Sequence, residues 1–285
     1  MKKFLSLSKP GIIFGNAVSV VAGYFLGLQG DFDASHFLLT LIGISLVIAG
    51  GSAFNNVWDR DIDALMERTK ARPMVLSAIS IPVALCFATV VSIAGLFVLW
   101  HFANTLTMLS AVFGLFIYVV VYSLWLKRNS ILGTEAGSLS GSVPPLVGYC
   151  AVANTIDLPI VLLFLVLCFW QMPHSHAIVY FRADEFRKAK LPLLPLLKSD
   201  RFTKIVMVVY GLAFLATAVF INILGFAGNV YLGIIGVSGG LWVVMLIQGF
   251  WISDNQKWAR KVFFGSLFVV ICLSLGLILD RAFLG

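Results

Sequence analysis

The stretch Asn55-Asn56-Val57-Trp58-Asp59-Arg60-Asp61-Ile62-Asp63 follows directly on an apolar run, and its reading decides how the rest of the chain is organised. Asn55, Asp59 and Asp63 are spaced four and four. On an α-helix that spacing stacks three oxygen-bearing side chains on one face. Like carboxylates at i,i+4 repel each other, and a position at a membrane edge adds a desolvation cost. A divalent cation would offset both. Hard oxygen donors suit Mg2+, which takes one or two carboxylates and completes its shell with water and substrate phosphate. The competing reading is a charged, solvated loop after a span.

The surrounding chain reads as membrane protein. Of 285 residues, 60% are hydrophobic and only 12% charged, against about 25% charged in a soluble domain. The whole of 1–285 reads as one polytopic domain with no room for a large water-facing one. The net charge of +7 reports topology in such a chain, so no nucleic-acid partner is inferred. Cys86, Cys150, Cys168 and Cys272 lie in apolar runs without a C-x-x-C pair, and read as small buried residues. Lys9-Pro10 interrupts the basic start, and a retained first span is expected rather than a cleaved signal.

Runs of about 20 apolar residues predict nine spans, near 11–28, 37–57, 79–100, 105–126, 132–153, 158–181, 203–225, 230–251 and 262–282. Lys and Arg fall before the first span and in every second connection thereafter; the alternate connections, near Asp31, Asn104, Asp157 and Asn229, carry none. The positive-inside rule then puts the N-terminus in the cytoplasm and the C-terminus outside. In the fifth run Gly133, Gly137 and Gly141 repeat every four residues, a face for close helix packing. Pro144-Pro145 should kink or break that helix.

Three constellations carry chemistry. After the opening stretch come Glu67, Arg68, Lys70 and Arg72. Carboxylates, Mg2+ and Lys/Arg together form the set a diphosphate needs: the metal bridges phosphate oxygens and the cations neutralise the leaving group. Lys127 and Arg128, ending Tyr122-Ser123-Leu124-Trp125-Leu126-Lys127-Arg128, reach the same headgroup or serve as ordinary interfacial anchors. The third is Trp170-Gln171-Met172-Pro173-His174-Ser175-His176, leading to Arg182, Asp184 and Glu185. A histidine inside a span is a functional candidate, though a lone one most often bonds a neighbouring carbonyl. His174 and His176, two apart on a helix, face different ways. Pro173 can kink this span and open a pocket.

Asn55-x-x-x-Asp59-x-x-x-Asp63 with Arg68-Thr69 and Arg72-Pro73 resembles the first aspartate motif of the intramembrane UbiA-type prenyltransferases. Lys9-Pro10-Gly11, Tyr122 to Arg128, Gly141 to Tyr149, Trp170 to His174 and Pro192-Leu193-Leu194-Pro195 are similar to signature segments of the branch that farnesylates protohaem IX, in the same order over nearly the whole chain. The resemblance implies an all-α integral membrane fold of nine helices around a central cavity in a bacterial cytoplasmic (inner) membrane. It also implies Mg2+-dependent transfer of farnesyl from farnesyl diphosphate to a vinyl group of haem B, with water addition, to give haem O. Asn55, Asp59 and Asp63 carry over as the Mg2+–diphosphate site, with Arg68, Lys70, Arg72, Lys127 and Arg128 as candidates to hold phosphate. His174 and Arg182 are candidates to meet the haem, and a haem-copper oxidase assembly or haem A synthase is the expected protein partner. Two departures stand out. Many relatives carry a second D-x-x-x-D, whereas here Asp184 is followed at i+4 by Lys188, so Asp184 is the expected second metal site, ahead of Glu185. Glu135 in the glycine-rich segment is also foreign to the pattern.

Three other functions compete. A prenyltransferase of quinone precursors lacks the Pro-His and Pro-Pro segments. A transporter would place acids near mid-bilayer and show inverted repeats. A haem electron carrier would want paired axial ligands, and the other histidines, His36 and His101, lie toward the far face.

Overall fold

The computed structural model describes residues 2–284, and side chains as far as 282. Every described element is helical. A short helix α1 (Lys2–Leu7) leads into α2 (Pro10–Gly27), then α3 (Ala34–Trp58) and a stub, α4 (Arg60–Ala64). After a turn-rich connection come α5 (Ile81–Phe102) and α6 (Thr105–Phe116). α6 runs without interruption into a π-helix, π1 (Ile117–Leu126), and one further turn, α7 (Lys127–Asn129).

Eight helical runs among the described residues are long and apolar enough to cross a membrane, against nine expected. The difference lies at 132–153. That run is two helices, α8 (Gly133–Gly141) and α9 (Val143–Ala153), parted at Ser142. Pro144 and Pro145 occupy the first turn of α9, where a missing N–H is tolerated. The predicted break is therefore real, and neither half spans by itself. Pro173 acts differently: α10 (Leu158–Phe181) continues through it. The chain closes with α11 (Ala183–Lys188), α12 (Leu194–Leu197), α13 (Asp200–Ile223), α14 (Asn229–Gln248) and α15 (Asn255–Leu284).

The largest core lies among α10, α13, α14 and α15, around Leu163, Met207, Phe214, Tyr231, Trp242 and Trp258. A second joins α2, α3, α5, α6 and α9. Glycine sets the closest approaches. A Cβ on Gly23 of α2 would stand 1.9 Å from the Pro145 carbonyl oxygen, and one on Gly148 of α9 would stand 2.2 Å from that of Val20. Backbone on backbone is what small residues permit where lipid offers no hydrophobic drive to association. The outward faces carry Phe, Leu, Ile and Val, including Phe14, Phe97, Val209, Val237 and Phe264, as a bilayer-facing surface requires.

The short elements gather at one end. Arg128 reaches Asp61, Arg68 reaches Glu185, and Lys3 donates to the Ala78 carbonyl. These contacts tie α1, α4, α7, α11 and the 65–80 connection into one basic, polar cap. Asn104, Asp280 and Arg281 bond backbone at the opposite end.

Candidate active site

The opening motif sits where α3 gives way to α4. Asp59 leaves helical geometry, with φ −87° and ψ 3°, but the i→i−4 bonds persist across it. Asp59 N–H donates to the Asn55 carbonyl at 2.9 Å and Asp63 N–H to the Asp59 carbonyl at 2.7 Å. The four-residue stack therefore survives the break, with all three residues at most 3% exposed. The solvated-loop reading is excluded by that burial.

Cations close over this face. Lys9 Nζ donates to Asn55 Oδ1 at 2.5 Å, Lys127 Nζ to Asp59 Oδ2, and Arg72 to Asp63 Oδ2 at 2.5 Å. Asn55 Nδ2 donates to Asp59 Oδ2 at 2.7 Å and to Ser123 Oγ at 3.0 Å. Arg128 grips the exposed Asp61 with two 2.7 Å bonds and approaches Asp59 at 3.8 Å. The guanidinium on Asp61 holds that carboxyl down at about 2. Burial, with Arg72 and Lys127 nearby, pulls the Lys9 ammonium down to about 7.

The π-helix explains how Lys127 gets there. Nine residues separate it from Tyr118. At 3.6 residues per turn that is two and a half turns, which would put the two on opposite faces. A π-helix, bonding i→i+5 with roughly 4.4 residues per turn, brings them into line. Three layers result along α3: Gly51 against the Tyr118 ring, Asn55 against Ser123, and Asp59 against Lys127. Tyr122 stacks on Tyr118 at 5.9 Å beneath the Lys127 ammonium.

The other expected residues divide. Arg68 lies beside Glu185 at 4.0 Å, its charge disfavoured first by burial and then by Arg72. Lys70 is turned away, its side chain 57% exposed and paired with Glu67, so Glu67 does not extend the buried face. Asp184, the expected second acid, has a side chain 83% exposed and pairs with Arg187. Glu185, 23% exposed, faces inward between Arg182 and Arg68. α11 is docked by Phe186 and Leu191 against Ile62 and Met66, and that docking selects Glu185. His174 lies on α10 facing α15, whereas His176 is fully buried with neither ring nitrogen bonded. Glu135 opens α8 with Oε2 buried and unpartnered, away from the motif.

Sequence reasoning gave no role to Lys9, Tyr118 or Ser123. Lys9 belonged to a quoted segment, but its reach depends on a left-handed backbone, φ 50°, just before Pro10. Ser123 would have been found only with the π register in hand.

The chain is also similar to known proteins over most of its length. The sequence model of the UbiA prenyltransferase family matches residues 16–268. Proteins named protoheme IX farnesyltransferase from Chromohalobacter salexigens, Pseudomonas savastanoi pv. phaseolicola and Yersinia pseudotuberculosis are 47%, 45% and 44% identical over 280 residues, 98% of this chain and 95% of each relative. A digeranylgeranylglyceryl phosphate synthase structure superposes with TM-score 0.80 at 20% identity, covering 98% of both chains. A UbiA homologue from Archaeoglobus fulgidus, solved with GPP and Mg2+, gives 0.71 at 16% identity, covering 97% of this chain and 99% of that one. At such identities the likeness is one of fold. The relatives' close identity over almost the entire chain and the family match lead to one assignment: the chain belongs to the UbiA prenyltransferase family, beside its protoheme IX farnesyltransferases.

Proposed function

We propose that this chain transfers farnesyl from farnesyl diphosphate to a vinyl group of haem B (protohaem IX), with water addition, releasing haem O and diphosphate. The observation that carries the reading is the buried Asn55–Asp59–Asp63 face ringed by Lys9, Arg72 and Lys127. The names of the 44–47% identical relatives support the acceptor.

Mg2+ fits the donors present. Asp59 Oδ1 is buried and accepts no hydrogen bond, and two carboxylates with an amide oxygen suit a hard cation that takes its remaining oxygens from water and phosphate. Asp59 and Asp63 would hold it, with Asn55 beside them. When bound it neutralises charge on the phosphate oxygens.

The chain's own groups do the rest. Lys9, Arg72 and Lys127 turn from Asn55, Asp63 and Asp59 to the diphosphate, with Arg68 and Arg128 at the margin. Charge preorganised toward a leaving group is usually the largest catalytic contribution. The C–O bond breaks and the electron pair leaves with diphosphate, giving an allylic cation beside the Tyr118–Tyr122 stack, whose π faces favour a cation. The vinyl π electrons of the acceptor attack that cation. Water captures the new cation next to the macrocycle and loses a proton. Glu185, rather than Asp184, takes the place of the second acid, through Arg68. The basic cap lies on the cytoplasmic side of a bacterial inner membrane, with the N-terminus inside and the C-terminus outside, and the product passes to haem A synthase or an oxidase assembly.

Purified protein given farnesyl diphosphate with haem B or with 4-hydroxybenzoate, followed by mass spectrometry, tests the reading. Farnesylated haem is expected. A farnesylated benzoate alone would replace the acceptor, and full turnover in both Asp59→Ala and Asp63→Ala would remove the metal site.

A further inference from the structure

The motif accounts for ionising the donor and says nothing about how the acceptor is held. A second group of side chains, on facing surfaces of α10 and α15, is not used by that chemistry. His174 lies between two aromatic rings, Trp170 at 4.7 Å and Phe263 at 4.9 Å, inclined to it by 26° and 34°. Trp170 Nε1 is itself anchored on the Ser266 carbonyl at 2.9 Å. The plane of the imidazole is therefore fixed.

Its protonation is fixed as well. His174 Nδ1 lies 2.7 Å from Ser266 Oγ. Ser266 donates its only hydroxyl proton to the Phe263 carbonyl at 2.5 Å. Oγ can then only accept from the ring, so Nδ1 carries the imidazole proton and Nε2 keeps a free lone pair. Among the described residues Nε2 has no hydrogen-bond partner, and unlike both nitrogens of His176 it is not enclosed. A neutral imidazole with one nitrogen tied to a fixed acceptor and the other open is how metal-ligating histidines are prepared.

Toward the basic cap the same surface becomes cationic. Phe263 meets Phe181 edge-on at 5.6 Å, and two guanidinium groups lie over Phe181, Arg182 at 5.5 Å and Arg260 at 6.0 Å. Arg182 shares its charge with Glu185. Arg260 has no carboxylate partner among the described residues. From His174 to Arg182, the residue just past the end of α10, is eight residues, about 12 Å of rise, which a ring bearing flexible acidic arms and two arginine side chains can cover between them. A flat metal-bearing macrocycle with two carboxylates matches this surface in each respect: apolar walls, one open nitrogen, and two cations along one edge.

We propose that this α10–α15 surface is the acceptor platform, with His174 Nε2 as axial ligand to the iron of the porphyrin, Ser266 as the residue that positions it, and Arg182 and Arg260 on the propionates. The proposal rests on haem as acceptor. Ligation needs no proton release, because Nδ1 stays protonated and the Nε2 lone pair goes to iron.

The full chain in detergent would be titrated with ferric protohaem IX and, separately, with metal-free protoporphyrin IX, followed by Soret absorption and electron paramagnetic resonance. The unaltered protein should give a histidine-ligated spectrum. His174→Ala should lose that signature, regain it with added imidazole, and bind metal-free porphyrin as before. Ser266→Ala should keep the ligand but lower haem affinity roughly tenfold, as loss of such supporting bonds does. Arg260→Ala should weaken both porphyrins and leave binding of the propionate dimethyl ester unchanged. An unaltered haem spectrum in His174→Ala, or equal loss of haem and metal-free porphyrin, would overturn the ligand assignment while leaving the acceptor in place. Failure of the unaltered protein to bind any porphyrin would instead overturn the acceptor itself. Elution position on size exclusion separates either result from misfolding.

Discussion

Removing the ammonium at position 127 should harm stability and turnover for different reasons, and a second substitution separates them. The Asp59 side chain is 2% exposed and bonded to Lys127. In Lys127→Met that carboxylate keeps Asn55 Nδ2 at 2.7 Å and Arg128 at 3.8 Å. Breaking a buried pair costs about 3–5 kcal/mol. A surviving hydrogen bond to a charged group contributes about 1.5–3 kcal/mol, so the net loss should be about 2 kcal/mol. At about 2–4 °C per kcal/mol for a chain near this size, the melting midpoint in detergent should fall roughly 4–8 °C. Adding Asp59→Asn removes the orphaned charge, and the midpoint should return most of the way. Turnover should not return. Each substitution removes charge aimed at the donor, and such losses run at about 100- to 1000-fold in kcat. A double variant that melts as low as Lys127→Met, or one that regains activity, would refute the assignment of this pair to both tasks.

Other outcomes follow from single residues. Glu185→Ala should lower kcat/KM by at least tenfold through loss of Arg68 positioning, with Asp184→Ala within about twofold of the unaltered enzyme; steady-state assays on both check the inward and outward placement. Lys9→Met should raise KM for farnesyl diphosphate by about tenfold, since one charge-assisted contact of about 1.5 kcal/mol is lost. His176→Leu should keep activity and match or exceed the native midpoint, because it exchanges two unbonded buried nitrogens for apolar atoms. Gly148→Ala should unfold in detergent well below the native temperature, because its Cβ would meet backbone that cannot step aside.

How much of this was legible follows from what fixes each feature. Bilayer thickness sets the length of an apolar run, so eight of the nine expected spans could be read directly, the run at 132–153 being two short helices. Pro144-Pro145 announced the break at Ser142 for an equally local reason. The Asn55–Asp59–Asp63 face was legible because the α period holds across Asp59. The period fails at Ile117–Leu126, where 3.6 residues per turn would put Lys127 and Tyr118 on opposite sides. No local rule chooses between neighbouring acids 100° apart on a short helix. The docking of Phe186 and Leu191 chose Glu185 over Asp184. Ser266 was invisible because it meets His174 from 92 residues away.

The close seating of α2 on α9 also bears on how the molecule is made. Gly23 and Gly148 lie about 125 residues apart. At roughly 5–20 residues per second of synthesis, the first span waits some 6–25 s before the backbone that fits its groove has been translated. Throughout that interval the Gly23 notch faces lipid or the insertion machinery. The α9-facing groove of the amino-terminal span is thus filled late, and a ribosome stalled before residue 143 would leave that groove uncovered in the bilayer, open to capture by chaperones or intramembrane proteases.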